Sequence, residues 1–316
     1  MTLPPTGELD GPRPPAATRR GAHDMLMELA EAGDNGFSPG RTLRTTVEFG
    51  RQLRRRRTHL VAVVLLVLPL VIALAFRVSS AGSSSGSSNG SYSGQLLTTL
   101  ATKGATNFAL FTEFASASFL LVVLVALFCG DTVASEASWS SLRYLLAIPV
   151  PRARLLRQKL IVALSLSLGA NVLLPAWALL VGGVFFGWAP GESPLGGDFT
   201  QGQGLTRLLV VIGYASLQSL LVAALAFLIG VLTDAPLGAV GGAILVVVLS
   251  NILDSITALG GYRRILPTHF QYAWLDAIGP TIEWDDMIRG AGVVLIYSAV
   301  FFALAWWRFQ RKDIVS

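Results

Sequence analysis

Six long apolar stretches, set apart by polar and basic segments, dominate the chain: Leu60–Phe76, Asn107–Gly130, Leu160–Trp188, Arg207–Leu232, Pro236–Leu253 and Gly290–Trp307. A run of about 17–25 apolar residues crosses a bilayer core of ~30 Å as a helix, because a helix satisfies its own backbone polar groups. The pattern predicts an all-α membrane protein with six spans. The first stretch begins only at Leu60 and no small-residue cleavage site follows it, so it predicts a retained span and not a signal peptide.

Charge sets the expected orientation. Seven arginines lie between Arg41 and Arg57. Arg143, Arg152, Arg154, Arg157 and Lys159 follow the second stretch, and Arg308, Arg311 and Lys312 follow the sixth. The alternate loops hold only Arg77, Lys103, Arg263, Arg264 and Arg289, with Arg207 at a boundary. The positive-inside rule then places both termini in the cytoplasm. Trp188, Trp284, Trp306 and Trp307 fall near span ends, where an interfacial aromatic belt belongs.

Residues 1–40, rich in Pro, Gly and Ala without periodicity, predict a disordered cytoplasmic tail. Across 41–58, Leu43, Val47, Gly50 and Leu53 recur at helical spacing among arginines, which predicts an amphipathic elbow helix in the interface plane. The transmembrane domain then runs over 59–316. Its outer loop from Val78 to Thr106 begins as a Ser/Gly linker. The segment 254–289 is too long and too aromatic for a turn, and predicts an extracellular re-entrant element or short helices folded back toward the membrane.

Composition agrees with the spans: 53% of residues are hydrophobic and 14% charged. The net charge of +5 needs no nucleic-acid partner, since cytoplasmic arginine faces anionic lipid headgroups. Arginine outnumbers lysine by 21 to 3 within the 24 basic residues, a bias that suggests a GC-rich bacterial genome. One cysteine, Cys129, excludes an internal disulfide, and the three scattered histidines offer no metal-ligand spacing. Gly82-Ser-Ser-Ser-Gly86 fits G-x-S-x-G in letters only, because a nucleophile elbow needs a strand-to-helix turn. Asn89-Gly90-Ser91 is a glycosylation sequon only in a eukaryotic secretory context. A phosphate-binding loop needs Gly-Lys-Ser/Thr, yet Lys103 precedes Gly104, Lys159 precedes Leu160 and Lys312 precedes Asp313. Any nucleotide-driven work must come from another polypeptide.

The block from Gly130 to Lys159 carries the sharpest signal. Glu136, Leu142, Leu145, Leu146, Pro149, Val150 and Arg152 follow the order E-x-x-x-G-T-L-x-x-L-L-x-x-P-V-x-R, with Ser140 and Ser141 in place of Gly-Thr and Lys159 just before the third stretch. Phe309, Arg311, Lys312 and Asp313 add an aromatic-basic-acidic tail. In these features the chain resembles the membrane subunit of ABC-2-type transporters. The resemblance implies an ABC-2, type V exporter-like fold and a plasma-membrane permease with no enzyme activity or bound cofactor of its own. ATP and Mg would sit on a separate ABC ATPase subunit, in a complex of two ATPases with two permeases, either copies of this chain or a close paralogue. The implied function is export of a hydrophobic or amphipathic compound such as a drug, antibiotic or lipid. Alternatives are a permease for ions or a polysaccharide or lipid-linked precursor, and a secondary active transporter.

The residues themselves add a mechanism. Residues 134–147 predict a cytoplasmic helix, stopped by Pro149 and Pro151. Trp139, Leu142, Leu145 and Leu146 form its apolar face, suited to a partner's groove or to the chain's own spans, with Glu136, Arg143 and Arg152 on its rim. The resemblance makes it the coupling helix. For a substrate pathway the spans offer Phe108, Phe111, Glu113, Ser116, Phe119, Asn171, Gln218 and Asn251. Glu113 is the one acid deep in a span, and such residues face a cavity or a partner. Gly238 and Gly242 have the small-xxx-small spacing of close helix packing, between two permease copies or within one. Pro175 is expected to kink span three.

Overall fold

The computed structural model describes residues 45–81, 100–138, 152–193, 200–233 and 235–311. Helices dominate: α1 (Thr45–Leu53), α2 (Arg56–Ala81), α3 (Ala105–Ala117), α4 (Leu120–Ser138), α5 (Arg152–Phe186), α6 (Gln201–Thr233), α7 (Pro236–Ser255) and α8 (Asp285–Arg311). Two 3₁₀ segments, Thr257–Ile265 and Ala273–Ile278, lie between α7 and α8. Helices α2, α5, α6, α7 and α8 are each long and apolar enough to cross a membrane, and α3 with α4 makes a sixth crossing bent by 59°. The chain is an all-helical, multi-pass membrane protein.

The second span departs from the expected straight run Asn107–Gly130: it is two helices joined at Ser118 and Phe119. Ser116 and Ser118 sit at the joint, and serine hydroxyls compete for backbone groups in a helix. The Ala117 carbonyl accepts a hydrogen bond from the Gln271 side chain at 3.2 Å, and the Ser118 side chain is bonded to Tyr272. A partner that takes up the freed backbone group stabilises such a break in a membrane.

Three other expectations need adjusting. Residues 134–138 do not begin a separate helix but continue α4, while 139–151 lie outside the described residues. Residues 152–159 form the first turns of α5, a helix of 35 residues. At about 1.5 Å per residue that helix exceeds the ~30 Å bilayer core, so its polar start projects beyond the apolar slab. The elbow is shorter than 41–58, since Arg56 already opens α2. Pro175 lies within α5 as one continuous helix.

Helix α6 is the central post, with 56% of its apolar window buried against 22% for α2, α7 and α8. It packs on α4, α8, α7, α5 and α3. Small residues permit the closest approaches, as lipid supplies little hydrophobic drive between helices. A methyl built on Gly230 of α6 would lie 2.5 Å from the carbonyl oxygen of Gly130 on α4, and one on Gly290 of α8 would meet Tyr214 and Phe270. Gly242 faces Ile229 of α6, and Gly238 is exposed, with only Ala235 and Thr233 of the preceding turn near it. Three apolar clusters result. One, around Phe227 and Val125, joins α4 to α8; a second, around Phe108 and Trp274, lies toward the opposite end; a third seats α2 against α4 and α5. Trp188, Trp284 and Trp307 are about half exposed at span ends.

Candidate functional site

Two places concentrate polar chemistry. The first is the basic end, where α1, the end of α4 and the start of α5 meet. Glu48 of α1 lies 3.7 Å from Nζ of Lys159, a side chain only 5% exposed. Glu48 also pairs with Arg51 at 2.8 Å and accepts from Gln52 at 3.2 Å. Thr58 caps the junction by donating to the Gln52 carbonyl at 2.7 Å. Asp131, buried in α4, pairs with Arg57 and lies 3.7 Å from Arg55. Of the residues expected to couple to an ATPase, Lys159 is thus a buried ion-pair partner of the elbow. Glu136 is in the last turn of α4 and Arg152 opens α5, with side chains outside the described set. Trp139, Leu142, Arg143, Leu145, Leu146 and Pro149 lie outside the described residues altogether.

The second place is a small cleft at the break in the second span. Ala117 and Leu121 flank the break, Asn171 comes from α5, Gln218 and Ser219 from α6, and Thr268, Gln271 and Trp274 from the folded-back segment. That segment is fastened by hydrogen bonds. The Tyr214 hydroxyl donates to the Phe270 carbonyl at 2.8 Å, and the Gln218 amide donates to the Tyr214 oxygen at 2.6 Å. Ser250 and Thr268 are 2.7 Å apart, and His269 Nδ1 is 2.5 Å from Asp254. The Arg207 guanidinium reaches the carbonyls of Ala277, Gly279 and Pro280. Burial raises Tyr272 above the ordinary tyrosine value, against its bond to Ser118. Asp276 is raised too, first by burial and then by the charges of Asp286 and Glu283.

Of the expected pathway residues, Asn171 and Gln218 line this cleft. Glu113 and Ser116 share the α3 face of Ala117 (i, i+3, i+4) and are buried, with no hydrogen-bond partner on either Glu113 oxygen or on Ser116 Oγ among the described residues. The others lie elsewhere. Phe108 stacks near Phe186 in the core, and Phe111 meets Phe76 edge-on. Phe119 is 64% exposed, turned outward by the break. Asn251 is half-buried on α7, where its neighbour Ser250 makes the inward contact. Sequence reading missed Ser219, Thr268, Gln271 and Trp274 as cleft residues, and Glu48 and Asp131 at the basic end. An acid inside α4, Asp131, was the one available signal. Among the described residues no group of three His, Cys, Asp or Glu side chains could hold a metal.

Fold and site together define a polytopic helical membrane protein with a largely apolar cleft, carrying a few polar side chains, at a broken span. Residues 91–315, from the approach to α3 to the tail, match the family described as "Protein of unknown function (DUF2705)", and the chain belongs to that family. None of the curated proteins matches it in sequence.

Proposed function

We propose that this chain is the membrane subunit of an ATP-driven transporter of ABC-2 layout. It sits in a bacterial cytoplasmic membrane with both termini inside, exporting a hydrophobic or amphipathic compound. ATP and Mg act on a separate ABC ATPase, and two permeases, copies of this chain or a close paralogue, complete the complex.

The observation that carries this reading is the ion-paired basic end. Lys159–Glu48 ties the elbow to α5, and Asp131–Arg57 ties the start of α2, just after the elbow, to α4; α4 and α5 are the two helices between which 139–151 runs. A push on that segment would move both helices and the elbow joined to them, and α4 begins at the break that lines the cleft. The family-like motif supplies the contact, and the paired helices supply a lever. Energy passes only so far as the two states of the ATPase bind the segment differently.

The test is co-purification and turnover with an ABC ATPase from the same genome, co-expressed with this chain. Leu142→Asp should detach or uncouple it while leaving the spans inserted; unchanged ATPase association and stimulation would contradict the reading. A second reading, a gradient-driven secondary transporter, is favoured by one observation: Glu113, a buried acid on a broken span with no hydrogen-bond partner among the described residues, the setting in which such transporters bind ions. Transport by the chain alone under an ion gradient would select it.

A further inference from the structure

The first 3₁₀ segment, Thr257–Ile265, buries none of its residues. It follows α7 at the end away from the basic cluster: Gly130, next to the Asp131 that pairs with Arg57, lies against Ala239 in the first turn of α7. The segment is nonetheless held in place. Arg263 lies 3.4 Å from Asp254 of α7, and the Tyr297 hydroxyl of α8 donates to the Ile265 carbonyl at 2.9 Å. Gly260, at φ 51°, makes the left-handed turn that divides the segment.

The side chains left outside are aromatic, aliphatic and cationic. Tyr262 and Ile265 are 76% and 62% exposed. They follow a stripe of exposed aliphatic residues on α7, Leu245, Leu249 and Ile252 (i, i+4, i+7), which ends at Ile256 just before the segment. Arg264, between Tyr262 and Ile265 in sequence, is exposed and makes no ion pair among the described residues.

Three requirements decide what covers this surface. The α7 stripe, Ile265 and the Tyr262 ring are disfavoured in water. The backbone is disfavoured in hydrocarbon, because short 3₁₀ turns bond only some of their groups, such as Leu259 N–H to Ile256 and Leu266 N–H to Arg263. Arg264 needs an anion, and the buried centre of a protein interface is depleted of charge. The headgroup layer of a bilayer meets all three. It offers an apolar boundary for the rings and aliphatic groups, water for the backbone, and phosphate for the guanidinium.

We propose that Thr257–Ile265 is a membrane anchor seated in the headgroup layer away from the basic end. Tyr262 and Ile265 rest on the acyl boundary, and the Arg264 guanidinium pairs with phospholipid phosphate. The assignment needs only that the chain spans the bilayer, and it stands whether or not the chain transports.

The test uses the full chain in phospholipid nanodiscs, spin-labelled at Ile265→Cys and, separately, at Tyr262→Cys. The unaltered chain, whose one cysteine, Cys129, is buried, measures background labelling. Both labels should be relaxed by oxygen and by aqueous Ni-EDDA to the intermediate degree of the headgroup layer. Labels as open to Ni-EDDA as in free water would overturn the proposal, and so would labels shielded from both reagents, as a second copy would shield them. The phosphate contact is read locally, with bimane on Ile265→Cys in maltoside detergent. Phosphatidylglycerol should shift its emission at about tenfold lower concentration than a phosphate-free galactolipid does. Arg264→Gln, at an exposed position, should abolish that difference while the galactolipid response stays. Equal responses to the two lipids in the parent, or a difference that survives Arg264→Gln, would overturn the contact.

Discussion

Glu48 on the short helix α1 and Lys159 at the start of α5 form an ion pair of 3.7 Å across 111 residues of chain, with the lysine almost fully buried. Each also has other partners: Glu48 holds Arg51 and Gln52. The elbow is therefore clamped to the span bundle by one carboxylate. Glu48→Ala should lower stability by about 1.5–3 kcal/mol, as expected for a hydrogen bond to a charged group. Arg51→Ala, half exposed, should cost at most about 1 kcal/mol. Thermal unfolding in detergent, with both variants side by side, checks the ranking.

Close helix approach at Gly230 makes a second expectation. Its missing side chain lets the Gly130 carbonyl of α4 come near, and a methyl there would lie 2.5 Å from that oxygen. Gly230→Ala should destabilise by about 1–3 kcal/mol, the range for overpacking. Gly169→Ala, which meets nothing within 4 Å, should leave the melting temperature essentially unchanged. Equal effects would mean that the α4–α6 crossing is not the tight contact described.

Gln271 is expected to hold the break in the second span. Gln271→Ala removes the donor to the Ala117 carbonyl and should cost about 1 kcal/mol. Hydrogen exchange should quicken at residues 118–121 and 268–274 together, because this bond is one of the two, with Tyr272–Ser118, that join the segments. Faster exchange in only one of them would contradict the shared fastening.

Asp276 supplies a pH dependence. Burial, then the charges of Asp286 and Glu283, raise its carboxyl above the ordinary 3.8. The folded protein then holds this proton more tightly than the unfolded chain. Its contribution to stability is greatest below 3.8 and is lost as pH rises through the raised value. Asp276→Asn should raise the melting temperature at neutral pH and change it little in acid. A variant that melted lower at neutral pH would reverse the assigned sign.

The apolar periodicity carried most of the architecture. All six stretches fall in helices long and apolar enough to cross a membrane, the second as a bent pair, and short 3₁₀ segments occupy much of 254–289, because length and apolarity are local properties. The break at Ser118 escaped notice, since Ala115 to Phe119 is apolar enough to continue a helix and the bonds that stabilise the bend come from Gln271 and Tyr272. The same holds for the site. Asn171 and Gln218 stood out as polar residues in apolar runs, whereas Thr268 and Trp274 join the cleft only through tertiary folding. Glu48 and Lys159 could not be paired from sequence because α1 meets α5 only when folded. Phe119 does not line the cleft: a continuous helix would have kept it on the face of Phe108, and at the joint it is exposed.

The most direct measurement purifies the tagged chain with a co-expressed ABC ATPase from the same genome and follows ATP hydrolysis in nanodiscs. The account predicts a stable complex whose hydrolysis is altered by this chain and loses that coupling in Leu142→Asp, with Glu48→Ala also impaired. A chain that purifies alone, leaves the ATPase unaffected and moves its cargo on an ion gradient would contradict it.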